Sequence, residues 1–216
     1  MKILRLFLWL VIFGLAYLVY NSVTGPVAFN KVKQVRYAKV IENLKDIRVA
    51  QLAHRTVTGY FAPSFDSLIQ FIDTAKFTIT QRRDSSIVDE VMTKRYGVTT
   101  LKDIVIVDTL GYASVKDSLF KNSDRYKTMA NIPIEGVTKK FDLKAGFLQQ
   151  NNIKIPVFEV KAAKNDILFD QDANLLVQEN QVVSVDGVNG THLRVGSLTE
   201  VNTNGNWPKN YGSNDE

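Results

Sequence analysis

Apolar residues crowd the start of the chain and then thin into two rhythms, one of period three to four and one of period two. From Ile3 to Tyr20 nearly every position is apolar, and no charge occurs between Arg5 and Lys31. At ~1.5 Å of rise per residue, a helix of this length nearly crosses the ~30 Å hydrocarbon layer of a bilayer. A helix that is apolar on every face needs lipid or a large core around it. The pattern predicts a membrane anchor over 1–23, with Trp9, Tyr17 and Tyr20 as interfacial anchors. Two alternatives share the pattern. One is a cleaved signal peptide, with Lys2 and Arg5 as its basic region and Gly14-Leu15-Ala16 as its cleavage site; the other is a buried core helix.

Gly25-Pro26 predicts a break, and with it a linker over 24–30. From Lys31 to Thr58 the rhythm becomes helical. Val40, Leu44, Ile47, Ala50 or Gln51, and His54 form one stripe, which Val49, Leu52 and Ala53 widen. Gly59 ends that helix. Ser64 is placed to cap a short helix from Phe65 to Ile72, and Ala75–Thr80 alternates like a strand. Ser85–Tyr96 reads as an amphipathic helix closed by Gly97, Leu101–Val107 as a strand, and Asp117–Lys121 as a helical turn. From Lys139 onward the pattern is β. Phe141–Leu148 and Ile153–Val160 flank Asn151-Asn152, while Gln181–Val185 and Thr191–Leu198 flank Asp186-Gly187 and Asn189-Gly190, so two hairpins are expected. After Val201 the chain is Asn-rich and reads as a disordered tail over 201–216.

The sum is an α+β chain: an N-terminal transmembrane helix, a long amphipathic helix, short helices, and an antiparallel β-sheet of ~4–7 strands. One domain over 31–200, with or without a small subdomain, accounts for the length. The net charge of +5 is modest, and much of it lies in Lys31, Lys33, Arg36 and Lys39, beside the anchor. That placement suits lipid headgroups and not nucleic acid, which calls for clustered cations with stacking or base-reading partners. Lys2 and Arg5 nearly balance those four cations, so charge counting leaves the orientation open. The short basic tail before the apolar run favours N-terminus in, which sets the domain in the periplasm beside the cytoplasmic membrane. With no cysteine, disulfides, thiolate metal sites and a lipoprotein anchor are all excluded.

Few residues offer chemistry. His54 lies on the apolar stripe, where a buried histidine with one satisfied nitrogen is expected, and His192 sits between a Gly-Thr turn and a strand, where a surface residue is expected. Asp166, Asp170, Asp172 and Asn174 suggest a calcium loop. Counted from Asp170, however, Leu175 stands where that loop needs Gly and Gln181 where it needs Glu, so a turn of capping residues is expected instead. Ser114 lacks the second Gly of a nucleophile elbow, and no phosphate-binding Gly-rich loop is present. No catalytic, cofactor-binding or metal-ligating residue is assigned.

The order of parts resembles type IV pilins and pseudopilins, in the run Leu44–His54 followed by Gly59-Tyr60, Ser64 and Leu68. That resemblance implies a helix serving as filament spine, with strands against its second half. The family's processing pattern is missing: Gly14 is followed by Leu15-Ala16-Tyr17-Leu18-Val19, without the Glu the family carries. A wider likeness is to uncharacterised single-pass envelope proteins of Bacteroidota. It rests on Leu44–Gln51, Ser64–Ile69, Val157–Ala162 and Gly196–Glu200 before an Asn-rich tail. It implies an exported domain, for which the phylum's Asp-(Ser/Thr)-aliphatic O-glycosylation motif is matched at Asp66-Ser67, Asp73-Thr74, Asp108-Thr109 and Asp117-Ser118; helix caps and turns explain such pairs equally. The function expected is a membrane-anchored, non-enzymatic subunit or scaffold of an envelope assembly, its partners the lipid bilayer and other envelope proteins. The alternatives are a membrane-tethered hydrolase of cell-wall or carbohydrate material and a pseudopilin-like polymer subunit.

Overall fold

The computed structural model describes residues 2–121 and 123–212. The fold is α+β, with one very long N-terminal helix, short helices and two antiparallel sheets. Two compact units divide the chain: Met1–Leu68 with Asp124–Glu216, and Ile69–Ser123.

Helix α1 runs unbroken from Lys2 to Thr58, 57 residues. The break expected at Gly25-Pro26, and the 24–30 linker with it, is replaced by helix. Pro26 withholds one backbone donor, but the clash of a proline ring with the Cβ of the residue before it is absent when that residue is glycine. In the turn before, the Thr24 hydroxyl donates to the Tyr20 carbonyl at 2.9 Å. Positions 7–23 of α1 are exposed throughout, and this is the one helix among the described residues long and apolar enough to cross a membrane.

The second half of α1 is the spine of the first unit. Val40, Leu44, Ile47 and Ala50 are fully buried, as the stripe predicts. Gln51 is buried too, and both ends of its amide are used: Nε2 donates to the Ala62 carbonyl (3.0 Å) and Oε1 accepts from the Ala62 amide (2.8 Å). This fastens the turn after α1 to the helix and brings the Phe61 ring to 4.6 Å from Phe158. Phe158 belongs to β4 (Ile153–Ala163), the middle strand of a three-stranded sheet whose order is β3 (Asp142–Gln150), β4, β5 (His192–Gly196). The β3–β4 hairpin turns on Asn151 and Asn152, both with positive φ (49° and 64°), as a two-residue turn of the favoured type requires. At the end of β5, Gly196 has φ +76°, and a Cβ there would fall 2.3 Å from the Phe158 carbonyl oxygen. Only glycine fits.

The second expected hairpin does not form. Gln181–Val185 is not a strand: Val183 and Val185 are 91% and 92% exposed, and β5 pairs instead with the second half of β4, Ala162 opposite Leu193. The loop folds on itself, the Ser184 amide donating to Asn189 Oδ1 at 2.8 Å. Residues 201–212 are likewise no disordered tail. Asn206 lies along β5, giving its amide to the Arg194 carbonyl, accepting from the Arg194 amide and donating from its side chain to the His192 carbonyl. Trp207 is buried. Asparagine side chains that mimic backbone partners explain how an Asn-rich segment becomes fixed; the expectation for 213–216 lies outside the described residues.

In the second unit, β1 (Lys76–Val88) and β2 (Leu101–Ser114) form a two-stranded antiparallel ribbon. Helix α2 (Phe65–Thr74), opened by Ser64 as expected, leads into it. The helix expected over 85–96 begins only at Glu90: Ser85–Val88 extend β1, and Asp89 caps α3 (Glu90–Tyr96) by accepting from the Met92 amide at 3.0 Å. Helix α4 (Val115–Phe120) closes the unit.

Candidate functional site

The densest buried polar group lies where the second half of α1 meets α5 (Lys164–Ile167) and α6 (Ala173–Asn180). Lys164 is fully buried, and its ammonium spends all three donors: on the Glu179 carbonyl (2.7 Å), the Val188 carbonyl (2.7 Å) and Glu179 Oε1 (3.2 Å). Glu179 Oε1 also accepts from the Tyr37 hydroxyl at 3.2 Å, and Oε2 meets Lys33 at 2.9 Å. Burial drives the Lys164 pKa down against the pull of Glu179, and drives that of Tyr37 up, with the Glu179 charge adding to the rise. The lysine's three donors are all filled, and the Glu179 carboxylate has three partners, Lys164 and Tyr37 on one oxygen and Lys33 on the other. Their arrangement holds α1, α6 and the 182–190 loop together.

One helical turn from Lys33, Arg36 makes a two-pronged bond to Asp170 (2.5 and 2.8 Å) and donates to the Ile167 carbonyl (2.9 Å). The guanidinium holds the Asp170 carboxyl well below the usual carboxylate range. The calcium-loop residues therefore serve three separate tasks. Asp170 takes Arg36, Asp166 pairs with Lys139 (2.7 Å), and Asp172 caps α6 by accepting from the Asn174 and Leu175 amides. Among the described residues no group of three or more His, Asp or Glu could hold a metal ion.

His54 is buried at the end of α1, where its Nδ1 lies 2.7 Å from the Tyr60 carbonyl, as expected of a satisfied histidine. His192 begins β5, its Nδ1 2.7 Å from the Thr191 hydroxyl. Ser114 caps α4, its hydroxyl oxygen accepting from the Asp117 amide. Of the glycosylation-motif hydroxyls, Thr74 and Ser118 donate to carbonyls four residues back, and Thr109 lies on the exposed face of β2.

Among the described residues, three clefts open on the first unit. One, of about 350 Å³, is bounded by Lys31, Val32, Val35, Arg36 and Lys39 of α1 and by Pro133, Ile134 and Glu135. Another, of about 510 Å³, lies between the 184–189 loop and the segment 205–210. The smallest, of about 140 Å³, lies between the segment 136–139 and Asp166 with Phe169. Hydrolysis by paired carboxyls needs two of them facing one cleft. Each of these three clefts is lined by one carboxylate, Glu135, Asp186 and Asp166 in turn. A cleft of about 370 Å³ on the ribbon of the second unit is lined by two, Asp84 and Asp103, the latter accepting from the Ser86 hydroxyl at 2.9 Å. The Lys164 and Glu179 contacts were hidden from sequence reading, because two residues 15 apart carry no shared spacing; the one available signal is that Lys164 follows an apolar strand without interruption. No protein-family model, curated protein or solved structure matches this chain.

Proposed function

We propose that the protein is a membrane-anchored, non-enzymatic subunit or scaffold of a cell-envelope assembly, with its N-terminus in the cytoplasm and both units in the periplasm. The observation that carries this reading is the division of labour within α1. Its first part is apolar and bare over 7–23, and its second part is the buried spine of a folded unit. A bare apolar helix of this length is stable against water only when lipid or another protein covers it. The cations just past the apolar stretch fit the same picture. Lys33 and Arg36 are engaged by Glu179 and Asp170, while Lys31 and Lys39 stay exposed, where anionic headgroups would meet them.

Fractionation tests the anchor: the protein should stay with membranes through carbonate extraction, and release into the soluble fraction would refute it. Protease added to spheroplasts tests the orientation. Cleavage of the folded units before lysis is expected, and protection until lysis would place them in the cytoplasm. Affinity capture from solubilised membranes tests the assembly; a chain recovered alone and monodisperse would count against it. An unbroken α1 with strands against its second half also favours, as a second reading, a pseudopilin-like polymer subunit. N-terminal sequencing decides that one: a mature chain beginning at Leu15 supports it, and an intact Met1 ends it.

A further inference from the structure

A two-stranded ribbon standing alone is marginal in water; three or more strands, or a covering helix, are needed for independent stability. Here β1 and β2 pair over 13 register positions with no third strand among the described residues, and neither has a buried residue in that stretch. The two free edges differ. The middle of β1 is Gln81-Arg82-Arg83-Asp84-Ser85-Ser86, the kind of charged and polar edge that resists pairing. The middle of β2 is Ile104-Val105-Ile106-Val107: β-branched, uncharged and without proline. Val105 and Val107 are 44% and 57% exposed, and beyond them Leu110 and Tyr112 are more open still. This is an unguarded edge.

We propose that β2 pairs antiparallel with β2 of a second copy of this chain, Val105 facing Val105 on the two-fold axis, so that two ribbons join into one four-stranded sheet. A two-fold axis normal to the sheet keeps the faces of the two strands in common, so opposite residues must have the same parity along the chain. Among such registers, the one centred on Val105 sets Lys102 against Asp108 twice over, with Ile104 against Ile106 between them. Centring on Ile104 would leave Lys102 opposite Ile106, and centring on Asp103 would oppose two carboxylates. Opposite charges directly across a strand pair stabilise it, and like charges destabilise it. Asp108 Oδ2 meets Arg83 of its own ribbon at 3.2 Å, which leaves its other oxygen for Lys102 of the second copy. The pairing specifies one partner for the assembly subunit proposed above and rests on that reading only in supposing association.

The test uses the full chain in detergent and in nanodiscs. Because the sequence has no cysteine, Val105→Cys introduces a unique thiol. On oxidation it should give a disulfide dimer in high yield, whereas Asp84→Cys, on the guarded strand, should not. In sedimentation velocity, Val105→Lys should weaken self-association about tenfold or more while the far-ultraviolet melt holds, since the new lysine lies opposite Asp84 within its own ribbon. Lys102→Asp should also weaken association, and adding Asp108→Lys should restore it. A monomeric parent at all concentrations, a dimer indifferent to Val105→Lys, or equal crosslinking from position 84 overturns the proposal. A monomer that still captures other envelope proteins defeats the self-pairing and leaves the subunit reading standing; a monomer that captures nothing defeats both.

Discussion

Replacing Lys164 by Met keeps most of the side-chain volume and removes only the ammonium. In the parent, that group satisfies the Glu179 and Val188 carbonyls and one oxygen of the Glu179 carboxylate. After the change the Val188 carbonyl lies buried without that donor, at a cost of about 1–3 kcal/mol, while the Glu179 carbonyl keeps the Val182 amide at 3.4 Å. The carboxylate keeps Tyr37 and Lys33 but loses its buried cation, and breaking a buried pair from one side costs about 3–5 kcal/mol. These figures overlap, so ~3–5 kcal/mol is the net expectation. For a chain of this size each kcal/mol moves the midpoint by about 2–4 °C, which predicts a fall of about 6–20 °C in a thermal melt followed at 222 nm. Lys39→Ala, on an exposed position nearby, should stay within about 0.5 kcal/mol of the parent. Adding Glu179→Gln to Lys164→Met should cost less than the sum of the two single changes, because the stranded charge is gone. A Lys164→Met protein melting within about 2 °C of the parent would refute the view that this cluster holds the unit together.

Three further outcomes are expected. Ile47→Asp puts an unpaired carboxylate at a fully buried position of α1 and should unfold the first unit at ambient temperature, whereas Glu42→Ala on the exposed side should leave its melting unchanged. Asp170 has its folded pKa depressed by Arg36, so the unfolded chain binds this proton more tightly. The stability it contributes is complete above the unfolded pKa of about 3.9 and is lost as pH falls below it; Asp170→Asn should flatten that acid arm in a pH series of denaturant midpoints. Leu10→Arg places a charge in the bare apolar stretch at about 2.5–3.5 kcal/mol on insertion scales and should abolish carbonate-resistant membrane association; unchanged association would sink the anchor.

What could be read from the sequence was whatever depends on neighbours along the chain. The α1 stripe, the Ser64 cap and the Asn151-Asn152 hairpin are local rules, and the structure agrees with each. Three expectations gave way, the first to a local effect and the other two to strand pairing. Gly25-Pro26 is a breaker on average, yet the missing Cβ of glycine removes half of the clash that makes it one. Gln181–Val185 has strand-like residues, but β4 is the strand with a free edge, and it takes β5 while the 182–190 loop closes over Lys164. Ser85–Val88 fits a helical period, but pairing with Leu101–Ile104 outweighs it. Helices α5 and α6 have too little apolar periodicity to be seen, though Asp172, read as a capping residue, does cap α6. The Lys164–Glu179 cluster depends on three segments meeting in space, and no spacing along the chain encodes that.

The continuity of α1 has a mechanical consequence. With a hinge at Gly25-Pro26, the folded unit would be a float on a leash, free to choose its height and attitude. A single helix of ~86 Å makes it the head of a rigid mast instead. If the first half stands in a bilayer at the usual tilt of about 20°, the second half leans by the same angle, and Lys31, Arg36 and Lys39 keep a fixed bearing toward the membrane plane. Anything that rocks the base, such as a change in bilayer thickness or a neighbouring helix, must then swing the whole head, and anything that grips the head can steer the base.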